Sequence, residues 1–329
     1  MGKPILEIKN LRTHFFTDRG EIPAVDGVDL YLNPGEVLGV VGESGCGKSV
    51  TSLSVLKLVP SPPGKIVSGS IRFKGKDIVP LREWEMRKIR GNSISMIFQE
   101  PMTSLNPLFT VGQQITETVR LHRGISRKKA RSITLDMLKK VGIARAESII
   151  DEYPHQLSGG MRQRVMIAMS IACSPEVLIA DEPTTALDVT IQAQILDLIR
   201  RLNEEQGMAV MMITHDLGVV AEMCHRVAVM YAGKVVEEGS VQDIFKNPLH
   251  PYTQGLIQSV PRMNETRERL YSIPGNVPIL SKNMQGCRFA ARCPHVMQRC
   301  LEALPNLTEQ ETGHSCRCWL HETPQEDAV

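Results

Sequence analysis

The sequence predicts an α/β fold in which helices cover a mostly parallel sheet, and three observations lead there. Short apolar runs at 37–41, 93–98, 177–181, 209–214 and 226–231 have the length of strands. Segments of helical period lie between them, such as 190–206 with apolar Ile191, Ile195, Leu198, Ile199 and Leu202. The runs at 177–181 and 209–214 are apolar enough to be buried on both faces, which is how strands of a parallel sheet read.

Each part of the chain adds to this reading. With 329 residues, 42% of them hydrophobic and 22% charged, there is material for about two ordinary globular domains. Thirty-eight Lys and Arg against thirty-six Asp and Glu leave a net charge of +2, without the overall basic excess of a dedicated nucleic-acid binder. The longest nearly unbroken apolar stretch, 165–173, is far short of the roughly 20 residues that span a bilayer. The start of the chain runs directly into an alternating pattern at 5–9, with no apolar leader, so an intracellular protein is expected.

From 112 to 172 the pattern changes to successive helices, broken at Gly124–Ser126 and at Tyr153-Pro154-His155, and this predicts a helical insertion. Ten Lys or Arg against four acidic residues in 81–131 make this stretch locally basic. It reads either as a solvated helical face or as a surface that meets an anionic partner. Beyond Gly239, closely spaced prolines at 248, 251, 261, 274 and 278 lead into a group of thiols, as in an appended module. The stretch 301–329 carries six acidic residues against Arg317 alone, and its end is expected to fray.

The chemistry starts at Gly42-Glu43-Ser44-Gly45-Cys46-Gly47-Lys48-Ser49, which fits G-x-x-x-x-G-K-[ST], follows the strand at 37–41 and opens a helix at Val50. Glycines let backbone N–H groups curl around phosphates, and the helix N-terminus adds positive potential. Lys48 is expected on the β- and γ-phosphates and the Ser49 hydroxyl on Mg²⁺. Cys46 fills a variable position of this pattern, with no catalytic part implied. The strand at 177–181 ends in Asp181-Glu182, where a parallel sheet presents side chains to its ligand. Asp181 is placed to hold Mg²⁺ through water, and Glu182 to polarise the water that attacks the γ-phosphate.

Leu157-Ser158-Gly159-Gly160-Met161 resembles the signature motif of ATP-binding cassette proteins, and its order after Gln99 and before Asp181-Glu182 strengthens the match. Gln99 corresponds to the Q-loop, Ala186-Leu187-Asp188 to the D-loop and His215 to the switch histidine. The resemblance implies a P-loop NTPase of RecA-like type, with core segments 1–98 and 174–240, a helical subdomain over 99–173, and a C-terminal extension over 241–329. It implies ATP as the nucleotide, clasped between one chain's P-loop and the Ser158, Gly159 and Gly160 of another, with Gln99, Glu182 and His215 catalytic and Ser49, Gln99 and Asp181 around Mg²⁺. The adenine is expected on an upstream aromatic, with Phe15 and Phe16 as candidates and Phe16 preferred.

Phe98-Gln99-Glu100-Pro101-Met102-Thr103-Ser104-Leu105-Asn106-Pro107, Tyr153-Pro154-His155-Gln156 and His250-Pro251-Tyr252-Thr253 resemble the oligopeptide and dipeptide importer ATPases over nearly the whole chain. That resemblance implies a second ATPase subunit or a copy of this one, two membrane-spanning permeases, an extracytoplasmic peptide-binding protein, and a peripheral place on the cytoplasmic face of the membrane. Importers of nickel or glutathione are similar. A soluble cassette ATPase acting on nucleic acid or ribosomes is the alternative, and the single cassette without sustained heptads speaks against it.

The spacing Cys287-x5-Cys293-x6-Cys300-x17-Cys318 matches neither a zinc ribbon nor a ferredoxin. Four thiolates suit zinc or an iron–sulfur cluster, and thiols packed as small hydrophobes are the third reading. Cys316 is a spare beside Cys318. The likeness to peptide-importer ATPases implies a [4Fe–4S] cluster on the four.

Overall fold

The computed structural model describes residues 2–18, 20–99, 104–184, 188–260, 271–278, 280–281 and 284–322. Two units make up the chain. One comprises Met1–Leu6, Leu32–Val37 and Arg72–Ile213, the other Glu7–Tyr31, Leu38–Ile71 and Thr214–Val329.

β1 (Leu6–Thr17), β2 (Gly20–Leu32), β4 (Gly64–Phe73) and β5 (Lys76–Asp77) form a four-stranded sheet in the order β2-β1-β4-β5. The alternating run recognised at 5–9 is therefore the first half of a longer strand. β1 continues through polar Lys9, Asn10 and Arg12 because one face is exposed while Leu11, Thr13 and His14 are buried.

In the first unit, β6 (Ile94–Ile97), β7 (Val177–Asp181) and β8 (Ala209–Ile213) run parallel, with Ile97 opposite Ala180 and Asp181 opposite Ile213. Every residue of the three strands is buried, which explains why their sequences carry no polar alternation. Short α2 (Glu83–Ile89) precedes β6; between β6 and β7 the helices break at Gly124–Ser126 as predicted and also between Lys140 and Ala146, while Pro154–Gln156, at the second predicted break, forms a short 3-10 turn. α3 (Val111–Arg123) starts at a capping box of Thr110 and Gln113 and ends at Gly124, whose φ of 61° suits glycine. α4 (Arg127–Lys140) is capped by Ser126. The two helices bury Val111, Ile115 and Val119 on one side and Ala130, Thr134 and Leu138 on the other, with a hydroxyl–hydroxyl bond of 3.0 Å between Thr116 and Thr134. After α5 (Ala146–Ile149), α6 (Gly159–Ile171) leads back to β7, and α7 (Val189–Gln206) joins β7 to β8. α7 buries Ile195, Leu198, Ile199 and Leu202, the stripe legible in its sequence.

In the second unit, β3 (Val37–Val41) lies parallel to β9 (Arg226–Tyr231), with Val41 opposite Val229. β10 (Lys234–Ser240) folds back on β9 through Ala232-Gly233, both with positive φ as a tight hairpin requires. β12 (His314–Cys316) adds antiparallel to β10, and β11 (Thr308–Glu311) adds to β12. The helices of this unit are α1 (Lys48–Val55), α8 (Leu217–Met223), α9 (Val241–Lys246), α10 (Pro251–Gln258) and α11 (Gln298–Glu302). Its core gathers Val41, Val220, Val229, Tyr231, Tyr252 and Phe289, so residues from the proline-rich stretch pack against those from β3 and β9. The buried Glu237 on β10 accepts bonds from the N–H groups of Leu249 and His250 and from His314 Nε2, at 2.7–2.8 Å, and so pins the start of α10.

Candidate functional site: a phosphate loop and a strand-end carboxylate pair

β3 delivers the chain to a turn that few sequences can make. Gly42, Gly45 and Gly47 have φ of 148°, 80° and 105°, values that L side chains rarely adopt. A Cβ on Gly42 would lie 2.1 Å from Met230 O, and one on Gly47 would lie 2.5 Å from Ala24 O. The loop therefore needs glycine for space as well as for torsion. Lys48 is 6% exposed and folds over the loop, its Nζ donating to Gly42 O at 2.7 Å and Glu43 O at 3.1 Å. An ammonium surrounded by loop carbonyls, beside a helix end whose N-cap glycine offers no side-chain bond, is a cradle for a phosphate tail.

Ser44 and Gly45 are exposed on this loop, and Ser49 and Val50 are half-buried at the start of α1. Cys46 is fully buried, and burial pushes its thiol up from the ordinary range, so it is an inert packing group. Phe16 is exposed near the end of β1, whereas Phe15 is half-buried, so Phe16 is the one of the two that offers an open ring face. His215 is exposed two residues beyond β8, and the following Asp216 caps α8 by accepting from Gly218 and Val219.

The other unit presents the carboxylates. Asp181 is buried at the end of β7, with Glu182 immediately beyond it. Glu182 has a φ of 49°, a strained value for a residue with a side chain, and its N–H donates to Ile213 O at 2.8 Å. Gln99, two residues past β6, donates from Nε2 to Glu182 Oε2 at 3.0 Å. The parallel β6–β7 pair thus brings together two residues that are 83 positions apart.

Ser158 caps α6, its Oγ accepting from Met161 N–H at 3.3 Å, and Gly159 faces open space. Gln163 on the same helix donates to Pro183 O, one residue past Glu182. Asp188 caps α7 by accepting from Ile191 N–H at 2.9 Å. Ala186 and Leu187, like residues 100–103 of the segment after Gln99, lie outside the described residues.

The thiol expectation is corrected by the structure. Among the described residues, no three or more His, Cys, Asp or Glu side chains form a group able to hold a metal ion. Cys287, Cys293, Cys300 and Cys318 therefore do not make the expected [4Fe–4S] site, nor a zinc site with the spare Cys316. Burial among apolar side chains raises the Cys287 and Cys293 thiols from their ordinary range and pushes Cys318 up to about 11. Cys287 and Cys293 pack against the core around Tyr231 and Phe289, and Cys300, Cys316 and Cys318 are buried, all serving as small hydrophobes.

Sequence reasoning missed the residues that brace the loop. Glu43 N–H donates to Tyr252 Oη at 2.8 Å, and the Glu43 carboxylate accepts two bonds from Arg292, at 2.6 and 3.0 Å. These partners are 209 and 249 positions away, and although Tyr252 stands in the His250-Pro251-Tyr252-Thr253 run, nothing local links either residue to the loop.

Comparison with known proteins decides the family. Residues 25–185 match the family described as ABC transporter, and residues 236–300 match the oligopeptide/dipeptide transporter C-terminal region. The probable peptide ABC transporter ATP-binding protein y4tR of Sinorhizobium fredii is 55% identical, over 96% of this chain and 94% of its own length. The chain belongs to the ATP-binding subunits of ABC transporters. This ABC ATPase is also 52% identical to the oligopeptide transport ATP-binding protein AppD of Bacillus subtilis, over 97% of both chains. Its fold matches the dimeric post-hydrolysis structure of the ATP-binding cassette MJ0796 bound to ADP and Pi, with a TM-score of 0.65 and 30% identity over 72% of this chain and 98% of that one. The likeness confirms a P-loop ATPase cassette with an inserted set of helices.

Proposed function

We propose that this ABC ATPase binds and hydrolyses ATP to drive uptake of oligopeptides or dipeptides through two membrane-spanning permeases, alongside a second ATPase subunit and supplied by an extracytoplasmic binding protein. The names of its relatives support the peptide class. In this reading the glycine loop and Lys48 hold the triphosphate, and Phe16 stacks on the adenine. Ser49, Asp181 and Gln99 are assigned to Mg²⁺, all oxygen donors of the kind a hard cation takes, and the bound ion supplies charge neutralisation on the phosphate oxygens. Glu182 accepts a proton from the attacking water, Gln99 holds that carboxylate in place, and His215 adds a polar contact to the reacting phosphate. Ser158, Gly159 and Gly160 offer the N-terminus of α6 to the nucleotide of a facing ATPase subunit, and Asp188 lies at that same junction.

The observation that carries the reading is the Gln99–Glu182 bond of 3.0 Å on a carboxylate held in strained backbone, an arrangement that aims a base rather than one that saves energy. Among the described residues no helix is long and apolar enough to cross a membrane, so transport requires partners. A groove of about 550 Å³ on the helical segment, lined by Phe109, Leu121, Arg120, Arg127 and Arg131, is the surface assigned to a permease, and it falls in the locally basic stretch. A peripheral place on the cytoplasmic face follows from that docking.

Glu182→Gln tests the reading. It is expected to keep ATP binding, stabilise an ATP-dependent dimer and lower turnover on the order of 10²-fold or more. Unchanged turnover removes Glu182 from its role. Co-purification from membranes with two permease chains tests the partner assignment.

A further inference from the structure

Glu43 stands in the P-loop, and each of its three polar groups is held. Its N–H donates to Tyr252 Oη, its carbonyl accepts from Lys48 Nζ, and its carboxylate accepts Arg292 Nη1 at 2.6 Å and Nη2 at 3.0 Å. The Arg292 side chain is 4% exposed. Its Nε donates to Pro274 O at 2.9 Å, and further bonds reach Ile273 O at 3.2 Å and Tyr231 Oη at 3.3 Å. The guanidinium lies 5.8 and 5.9 Å from the ring centroids of Tyr231 and Phe289. A planar fork fixed by this many partners holds a carboxylate in one orientation, which a lysine in the same place could not do.

Tyr252 and Arg292 both come from the region that matches the peptide-transporter C-terminal family, whereas Glu43 belongs to the ATPase match. Nothing in phosphate chemistry requires a carboxylate at this variable loop position, and an unpaired one would repel a triphosphate. Its neighbours Ser44 and Gly45 are exposed, so the Glu43 side chain is the part of this stretch that ties it to the C-terminal region.

We infer that Arg292 and Tyr252 are positioning residues for the nucleotide: by holding and neutralising Glu43 they keep the P-loop in its phosphate-binding shape, so the C-terminal region sets the affinity of the ATP site. The inference rests on the P-loop being that site. Two effects act in the same direction. A loop already ordered loses less conformational freedom when the phosphates arrive, and a carboxylate already paired does not oppose their charge.

Titration of the full chain with a fluorescent ATP analogue and Mg²⁺ tests this, with thermal unfolding in the absence of nucleotide as the structural control. Arg292→Ala frees the carboxylate and is expected to weaken binding about tenfold, Glu43→Gln about threefold, and Arg292→Ala combined with Glu43→Gln is expected to bind more tightly than Arg292→Ala alone. That rescue separates positioning and charge from simple loss of packing, which a second substitution would not repair. Unchanged affinity in Arg292→Ala, or a double variant as weak as the two losses added, overturns the inference. Should Arg292→Ala not fold, Arg292→Lys and Glu43→Gln decide it, since each loses the two-point contact; unchanged affinity in both overturns it. Lys48→Ala separates the two levels. If the unaltered chain does not bind the analogue, or binds it no better than Lys48→Ala, the ATP site itself is wrong. If Lys48→Ala loses binding while Arg292→Ala keeps it, the inference alone falls.

Discussion

Two glycine-bearing turns each open a helix in this chain, and they treat the helix end differently. At α1 the N-cap is Gly47, which has no side chain to satisfy the first backbone donors, and Lys48 is folded over the same turn. At α6 the N-cap is Ser158, which accepts from Met161 N–H. The first end keeps its donors for a ligand; the second has already answered part of its own demand. The glycines differ in the same sense. Gly42 and Gly47 of the first turn are wedged against backbone, with only Gly45 between them open, whereas Gly159 of the second meets nothing within 4 Å of where its Cβ would be.

The sharpest way to break this contrast is Gly42→Ala. Its Cβ would meet Met230 O, so a loss of about 3 kcal/mol in chemical denaturation and loss of nucleotide binding are expected. A titratable cap extends the comparison to α10, where His250 Nδ1 accepts from Tyr252 N–H at 3.0 Å. Burial depresses the His250 pKa to about 4 from 6.5, so the unfolded chain binds a proton in that window that the folded chain refuses. Stability is then expected to fall as the pH drops from 6.5 towards 4, by up to about 3 kcal/mol, and His250→Asn should flatten that slope in denaturation measured across pH. His314 does not mask the effect. The Glu237 hydrogen bond raises its pKa, so its stabilising contribution is fully present below 6.5 and disappears only as the pH climbs through the raised value. Ser158→Ala and Asp188→Ala each remove a cap and should cost about 1 kcal/mol in the same denaturation assay. Gly159→Ala should change stability by less than about 0.5 kcal/mol; a larger loss would show that the second turn is as crowded as the first.

Legibility followed the range of the forces involved. The P-loop, β7 with its two carboxylates, and α3, α4 and α7 could be read because local periodicity, breakers and caps specify them within a dozen residues. Glu182 was marked by its strand end and Gln99 by the family resemblance, and the β6–β7 register then placed them in hydrogen-bonding contact. β1 was read short because its outer face is polar. β11 has the sequence Thr-Glu-Gln-Glu, which carries no strand signal, and it forms because the edge of β12 is there to receive it. The cysteines were misread because spacing records which thiols are near in sequence and says nothing of the apolar packing into which they fold. The bracing of Glu43 was invisible for a similar reason: Tyr252 and Arg292 reach the loop through tertiary packing alone.

The β10–β12 pairing also bears on how the chain can be shortened. A truncation ahead of residue 314 would strip Glu237 of its His314 partner and leave a row of backbone donors and acceptors along β10 uncovered. Such a row recruits whatever strand it meets, so the shortened chain should self-associate into sheet-rich aggregates rather than survive as a smaller working cassette.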